Sequence, residues 1–180
     1  GGMACGITEN SYQTLESLVF VLPSGTVVDT AAPDANNRLR EAEPELFEGL
    51  LRLRRRIQNN PESLAIIARQ FAMKNTMGYG INAFIDFETP VDVLAHLLVG
   101  SEGTLAFIAE ATYTTVPVKP QIATALAIFP TLDDATRALP ELVATDAATL
   151  ELMDATSIRV GQSFADAPPQ IRGFEVSTEA

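Results

Sequence analysis

Glycine clusters carry most of the chemistry this sequence can offer. Gly100-Ser101-Glu102-Gly103-Thr104 stands between an apolar segment and a β-branched run. There a backbone without side chains can approach a ligand closely and turn N–H groups toward it. By residue type the stretch is either an anion or cofactor loop or an ordinary tight turn. Gly103 is expected where backbone geometry or lack of space excludes a side chain. Gly78-Tyr79-Gly80-Ile81-Asn82-Ala83 fits a G-x-G-x-x-A search, with Glu102 near the distance of a ribose-binding acid. A dinucleotide fold needs a buried strand directly before those glycines, and the polar Met73-Lys74-Asn75-Thr76-Met77 is not one. In a third cluster, Gly1-Gly2-Met3-Ala4-Cys5-Gly6, the cysteine has no neighbouring base and reads as a small buried residue rather than a nucleophile. With Cys5 and His96 the only residues of their types, neither a disulfide nor a Cys/His zinc site can be assembled. His96 falls inside an apolar helical segment and reads as structural.

The elements that must position these groups are legible in part. Ser17 to Leu22, the turn residues Pro23-Ser24-Gly25-Thr26, and Val27-Val28-Asp29 read as a hairpin. From Pro44 to Asn60 apolar residues recur at three and four, with Glu43, Glu45 and Glu48 in front and Arg52, Arg54, Arg55 and Arg56 behind, as the helix dipole favours. A second helix is expected over Glu62 to Phe71 and a third over Pro90 to Leu98, with proline in its first turn. A long strand is expected over Thr104 to Val116, and another carries Ile122, Thr124, Leu126 and Ile128 on one side. Thr131 and Asp134 form a capping pair for a helix to about Ala144; Leu150 to Met153 reads as a strand before a helix over Asp154 to Gly161. Pro117 and Pro120 bracket the expected internal boundary, so that 121–160 would be a strand-helix-strand unit.

Composition bounds the function. Twelve Lys and Arg against 23 Asp and Glu leave a net charge of −11, which excludes a sequence-independent grip on nucleic-acid phosphates. An apolar share of 47% with only 19% charged residues predicts a packed globular chain. The longest apolar runs stop well short of a membrane span, so a soluble, cytoplasmic protein is expected.

Taken in order, Lys74-Asn75-Thr76-Met77-Gly78-Tyr79, then Gly100-Ser101-Glu102-Gly103-Thr104-Leu105-Ala106-Phe107-Ile108, then Pro117 resemble the FAD-linked oxidases of the vanillyl-alcohol oxidase type. The branch resembled is that of the bacterial D-lactate and D-2-hydroxyglutarate dehydrogenases. Gly2 to Gly6 with Tyr12, and Val21 to Val27, are similar to the family's flavin-enclosing stretch, and Leu150 to Asp154 to the opening of its substrate cap. The resemblance implies an α+β fold, with an antiparallel sheet flanked by helices over 1–118 as the second half of a PCMH-type FAD-binding domain. Residues 119–180 would begin an α+β cap. It implies FAD as cofactor, a small D-2-hydroxy acid as substrate and the rest of a parent chain as partner. Met3, Ala4, Cys5, Gly6, Glu102, Gly103, Thr104, Leu105 and Ile108 would contact FAD. Lys74, Asn75, Thr76 and Tyr79 would stand on the substrate side, where Lys74 can pair a carboxylate, unless it is merely solvated and its neighbours only shape a turn. The family's Pro-x-Gly-x-Gly-Thr pyrophosphate loop and its later His-containing motif would lie outside these residues. The isolated chain would then bind FAD weakly and could self-associate. Two other readings stay open: a non-catalytic folded scaffold with an incomplete flavin site, and an unrelated acidic α+β binding domain.

Overall fold

In the computed structural model, which describes residues 6–118 and 120–176, the chain divides into two units, Gly1–Pro117 and Val118–Ala180. The first is built on strand β1 (Leu15–Val21), whose Leu18 and Phe20, continued by Leu22, are buried at alternate positions. That period of two gives the sheet one apolar face. β2 (Val27–Asp29) pairs antiparallel with β1 through Phe20 and Val28, and the turn between them uses Gly25 at φ +89°, a conformation cheap only for glycine. β3 (Phe107–Tyr113) pairs antiparallel on the other side of β1, giving the order β2-β1-β3. The register shifts between Val19 and Phe20, so that Val19 faces Glu110 while Phe20 faces Ile108. One extra residue on β3, Ala109, is left in a bulge.

Helices cover the apolar face. α1 (Ala35–Ala42) contributes Ala35 and Leu39, and α2 (Pro44–Gln58) contributes Phe47 and Leu50. Glu43 joins these two helices and accepts hydrogen bonds from the Ser24 and Thr26 hydroxyls, which hold its carboxyl below the ordinary range and tie the hairpin turn to the helix joint. α3 (Pro61–Phe71) starts where Asn60 Oδ1 accepts from the Ser63 N–H at 3.0 Å. α4 (Ala83–Asp86) is a single turn that buries Ala83 and Phe84. α5 (Pro90–Leu98) is apolar almost all round and correspondingly buried, with only Asp92 half-exposed, where the Thr89 cap holds it. β3 is different: all seven of its residues are exposed, Phe107 and Tyr113 included.

The second unit contains α6 (Leu132–Val143), α7 (Ala155–Gln162) and α8 (Pro169–Arg172). Thr131 Oγ1 accepts from the Asp134 N–H at 3.1 Å, so the capping pair read in the sequence forms. The flanking strands do not. Residues 122–128 and 150–153 carry no ladder, and the strand-helix-strand unit expected there is replaced by helices joined by irregular chain. A strand needs an edge to pair with, and among the described residues of this unit there is none.

Candidate functional site

The loop after α5 runs through three left-handed residues, Gly100 at φ +81°, Glu102 at +53° and Gly103 at +74°. Ser101 is buried beneath it, its N–H donating to Leu98 O, and the Thr104 N–H and hydroxyl both turn back to Ser101 O. Among the described residues the N–H groups of Glu102 and Gly103 have no acceptor. The loop and the start of β3 line one concavity, made by Leu98, Gly100 to Gly103, Ala106, Phe107 and Ile108. Gly103 is confined by conformation and not by space: a side chain there would meet no atom within 4 Å.

Tyr79 reaches this loop from a distant part of the chain. Its hydroxyl lies 2.8 Å from Thr104 Oγ1, which in turn spends its own proton on Ser101 O at 2.7 Å. Tyr79 is therefore the donor. Asn75 instead folds onto its own segment, its Oδ1 accepting from the Met77 N–H at 3.2 Å, while Lys74 and Thr76 are exposed. Leu105 packs against the core, and Ile108 is on the exposed strand β3 opposite Phe20. Gly6 has φ +56° and is half-buried; Met3, Ala4 and Cys5 lie outside the described residues. Among the described residues no group of His, Cys, Asp and Glu could hold a metal ion, and no helix is long and apolar enough to cross a membrane.

A second constellation flanks Tyr79, and no local spacing announces it. Asp86 Oδ2 accepts from Tyr12 Oη and from Asn82 Nδ2, each at 2.8 Å. The Tyr12 ring meets His96 edge-on at 4.9 Å, and Phe87 stacks on His96 at 3.7 Å. His96 Nδ1 donates to Asp92 O at 2.8 Å, which fixes the tautomer with Nε2 unprotonated in the neutral ring. Burial, followed by the Asp86 hydrogen bond, raises the Tyr12 phenol. Burial lowers His96 below its ordinary 6.5 against the smaller opposing pull of Asp92 and Asp86.

That depression has a sign. The folded state resists protonation of His96, so its contribution is fully present above the unfolded value of 6.5 and is lost as pH falls through the folded one. Unfolding free energies from urea titration are expected to fall as pH drops below about 6.5, by at most about 1.4 kcal/mol per pH unit for the one proton. His96→Phe should flatten this fall, and an unchanged slope in that variant would remove His96 as its cause.

Comparison with known proteins bears on both units. Residues 118–180 match the family model described as FAD linked oxidases, C-terminal domain. Over 168 residues, 90% of this chain, the sequence is 30% identical to D-2-hydroxyglutarate dehydrogenase from Haemophilus influenzae. Both matches support an FAD-linked oxidase. It spans 16% of that relative's length. No solved structure matches it. FAD is the cofactor of this oxidoreductase family, and the loop suits such a group. Two backbone donors without acceptors, open space beside Gly100 and Gly103, and an apolar wall at Ala106 to Ile108 can receive a flat, partly polar molecule.

Proposed function

We propose that the chain is part of an FAD-dependent dehydrogenase of D-2-hydroxy acids, in which residues 1–118 help enclose the flavin and 119–180 begin the cap over the substrate. The observation that carries this reading is the Tyr79–Thr104 hydrogen bond. It joins the Lys74–Tyr79 string to the glycine loop, so the two stretches assigned to substrate and cofactor meet at one point. FAD, when bound, supplies the acceptor for the hydride leaving C2 of the hydroxy acid. The Glu102 and Gly103 N–H groups would donate to the cofactor's polar edge, while Ala106 and Ile108 exclude water from its apolar side. Tyr79 would hold its hydroxyl at the boundary between the two ligands. Lys74 would bring positive charge to the substrate carboxylate, which matters in a chain of net charge −11. The 30% identity to a D-2-hydroxyglutarate dehydrogenase supports this substrate class.

The test is anaerobic mixing of the purified full-length protein with D-2-hydroxyglutarate, with D-lactate and with their L-enantiomers. Bleaching of a bound yellow flavin by a D-acid, and not by its mirror image, is the expected result. A colourless protein would favour the scaffold with an incomplete flavin site, and a flavin that no D-2-hydroxy acid reduces would exclude the substrate class.

A further inference from the structure

Asp86 joins two segments that are 74 residues apart through one carboxylate oxygen. Tyr12 follows the first glycine cluster, and Asn82 precedes α4 three positions after Tyr79. Both partners enclose Gly80: its Cβ position is 3.5 Å from Asn82 Oδ1, from Tyr12 Cε2 and from His96 O. Gly80 is the residue next to Tyr79, and the turn it occupies is closed by Ile81 N–H to Tyr79 O at 2.8 Å and Ala83 N–H to Gly80 O at 3.0 Å. Tyr79 itself is 44% exposed. Its aim at Thr104 therefore depends on the backbone beneath it, and that backbone is fixed by groups that Asp86 holds.

We infer that Asp86 is a positioning residue which, by binding Tyr12 and Asn82 together, clamps Gly80 and so directs the Tyr79 hydroxyl onto the Gly100–Thr104 loop. The inference rests on the proposed function only for its consequence in turnover; the clamp itself is a statement about geometry. Asn at position 86 can keep an oxygen acceptor for Tyr12, whereas Ala cannot. Burial and Asp86 both oppose ionisation of the Tyr12 phenol, so removing the carboxylate should also let that phenol ionise at lower pH.

The experiment compares Asp86→Ala, Asp86→Asn and wild type at two levels. In the 180-residue chain, the nuclear Overhauser contact between the Tyr79 ring and the Thr104 methyl is expected to disappear in Asp86→Ala and to persist in Asp86→Asn. Alkaline difference absorbance should show one tyrosine ionising earlier in Asp86→Ala. Retention of the Tyr79–Thr104 contact in Asp86→Ala would overturn the clamp, whatever the protein's substrate proves to be. In the full-length holoenzyme, Asp86→Ala is expected to raise KM for the hydroxy acid severalfold at unchanged FAD content, with Asp86→Asn restoring it. Parallel loss of FAD and folding in both variants would instead make Asp86 merely structural and overturn the positioning role. If wild type reduces no flavin with any D-2-hydroxy acid, the substrate reading fails while the contact and titration results still decide the clamp.

Discussion

Phe20→Ala is expected to cost about 3–5 kcal/mol of stability, the range for deleting a fully buried aromatic side chain. Phe20 has no exposed surface and lies on the central strand, paired with Val28 on one side and Ile108 on the other. Leu18, Leu22, Leu39, Phe47 and Leu98 belong to the same cluster, so the cavity would open where strand and helices meet. Close packing allows only partial collapse around such a hole. Set against the roughly 5–15 kcal/mol that holds a typical domain folded, one residue would remove a large share. Phe107→Ala is the matched control: the same substitution on the same sheet, but at a side chain that is 71% exposed. It should stay within about 0.5 kcal/mol of wild type. Urea unfolding of both variants measures the difference, and equal losses would mean that the core is not centred on β1.

That contrast between two phenylalanines also marks how far sequence pattern reaches. The apolar run and the Pro-Ser-Gly-Thr turn after it identified the β1–β2 hairpin, and a first-turn proline with an apolar run identified α5 at its observed bounds. Both signals are local: a turn and a first-turn proline. α1 carried no such signal, because its ANNRLREA sequence buries only Ala35 and Leu39 and is otherwise polar. Residues 122–128 show why a strand pattern can mislead, since β-branched alternation creates a surface for pairing but cannot supply the neighbouring edge. The candidate site divides in the same way. Left-handed glycines in the 100–104 loop follow from residue type and position, whereas the link from Tyr79 to Thr104 crosses 25 residues and that from Tyr12 to Asp86 crosses 74. Only the folded core sets such distances. His96 read as a structural residue and is buried against Phe87 and Tyr12, but its place beside a clamped turn was invisible in its own helix.

Gly103→Val should weaken FAD binding in the full-length holoenzyme by about 5- to 150-fold. The reason is conformational, because a side chain at Gly103 meets no atom within 4 Å but must adopt φ +74°. For a β-branched residue that backbone conformation is a true outlier, and such strain costs on the order of 1–3 kcal/mol. If the loop must hold this shape to present the Glu102 and Gly103 N–H groups to the cofactor, the same energy appears as lost affinity, at about 1.4 kcal/mol per factor of ten. Glu102 at φ +53° already places one ordinary residue in the left-handed region, so the loop has little tolerance for a second. Gly103→Asn separates conformation from bulk, since asparagine enters this region far more readily than valine while filling comparable space. FAD titration of both apoproteins is the measurement. Wild-type affinity in the valine variant would remove the loop from the flavin site. Asparagine as damaging as valine would show that the cofactor is repelled by the side chain, which would overturn the conformational account.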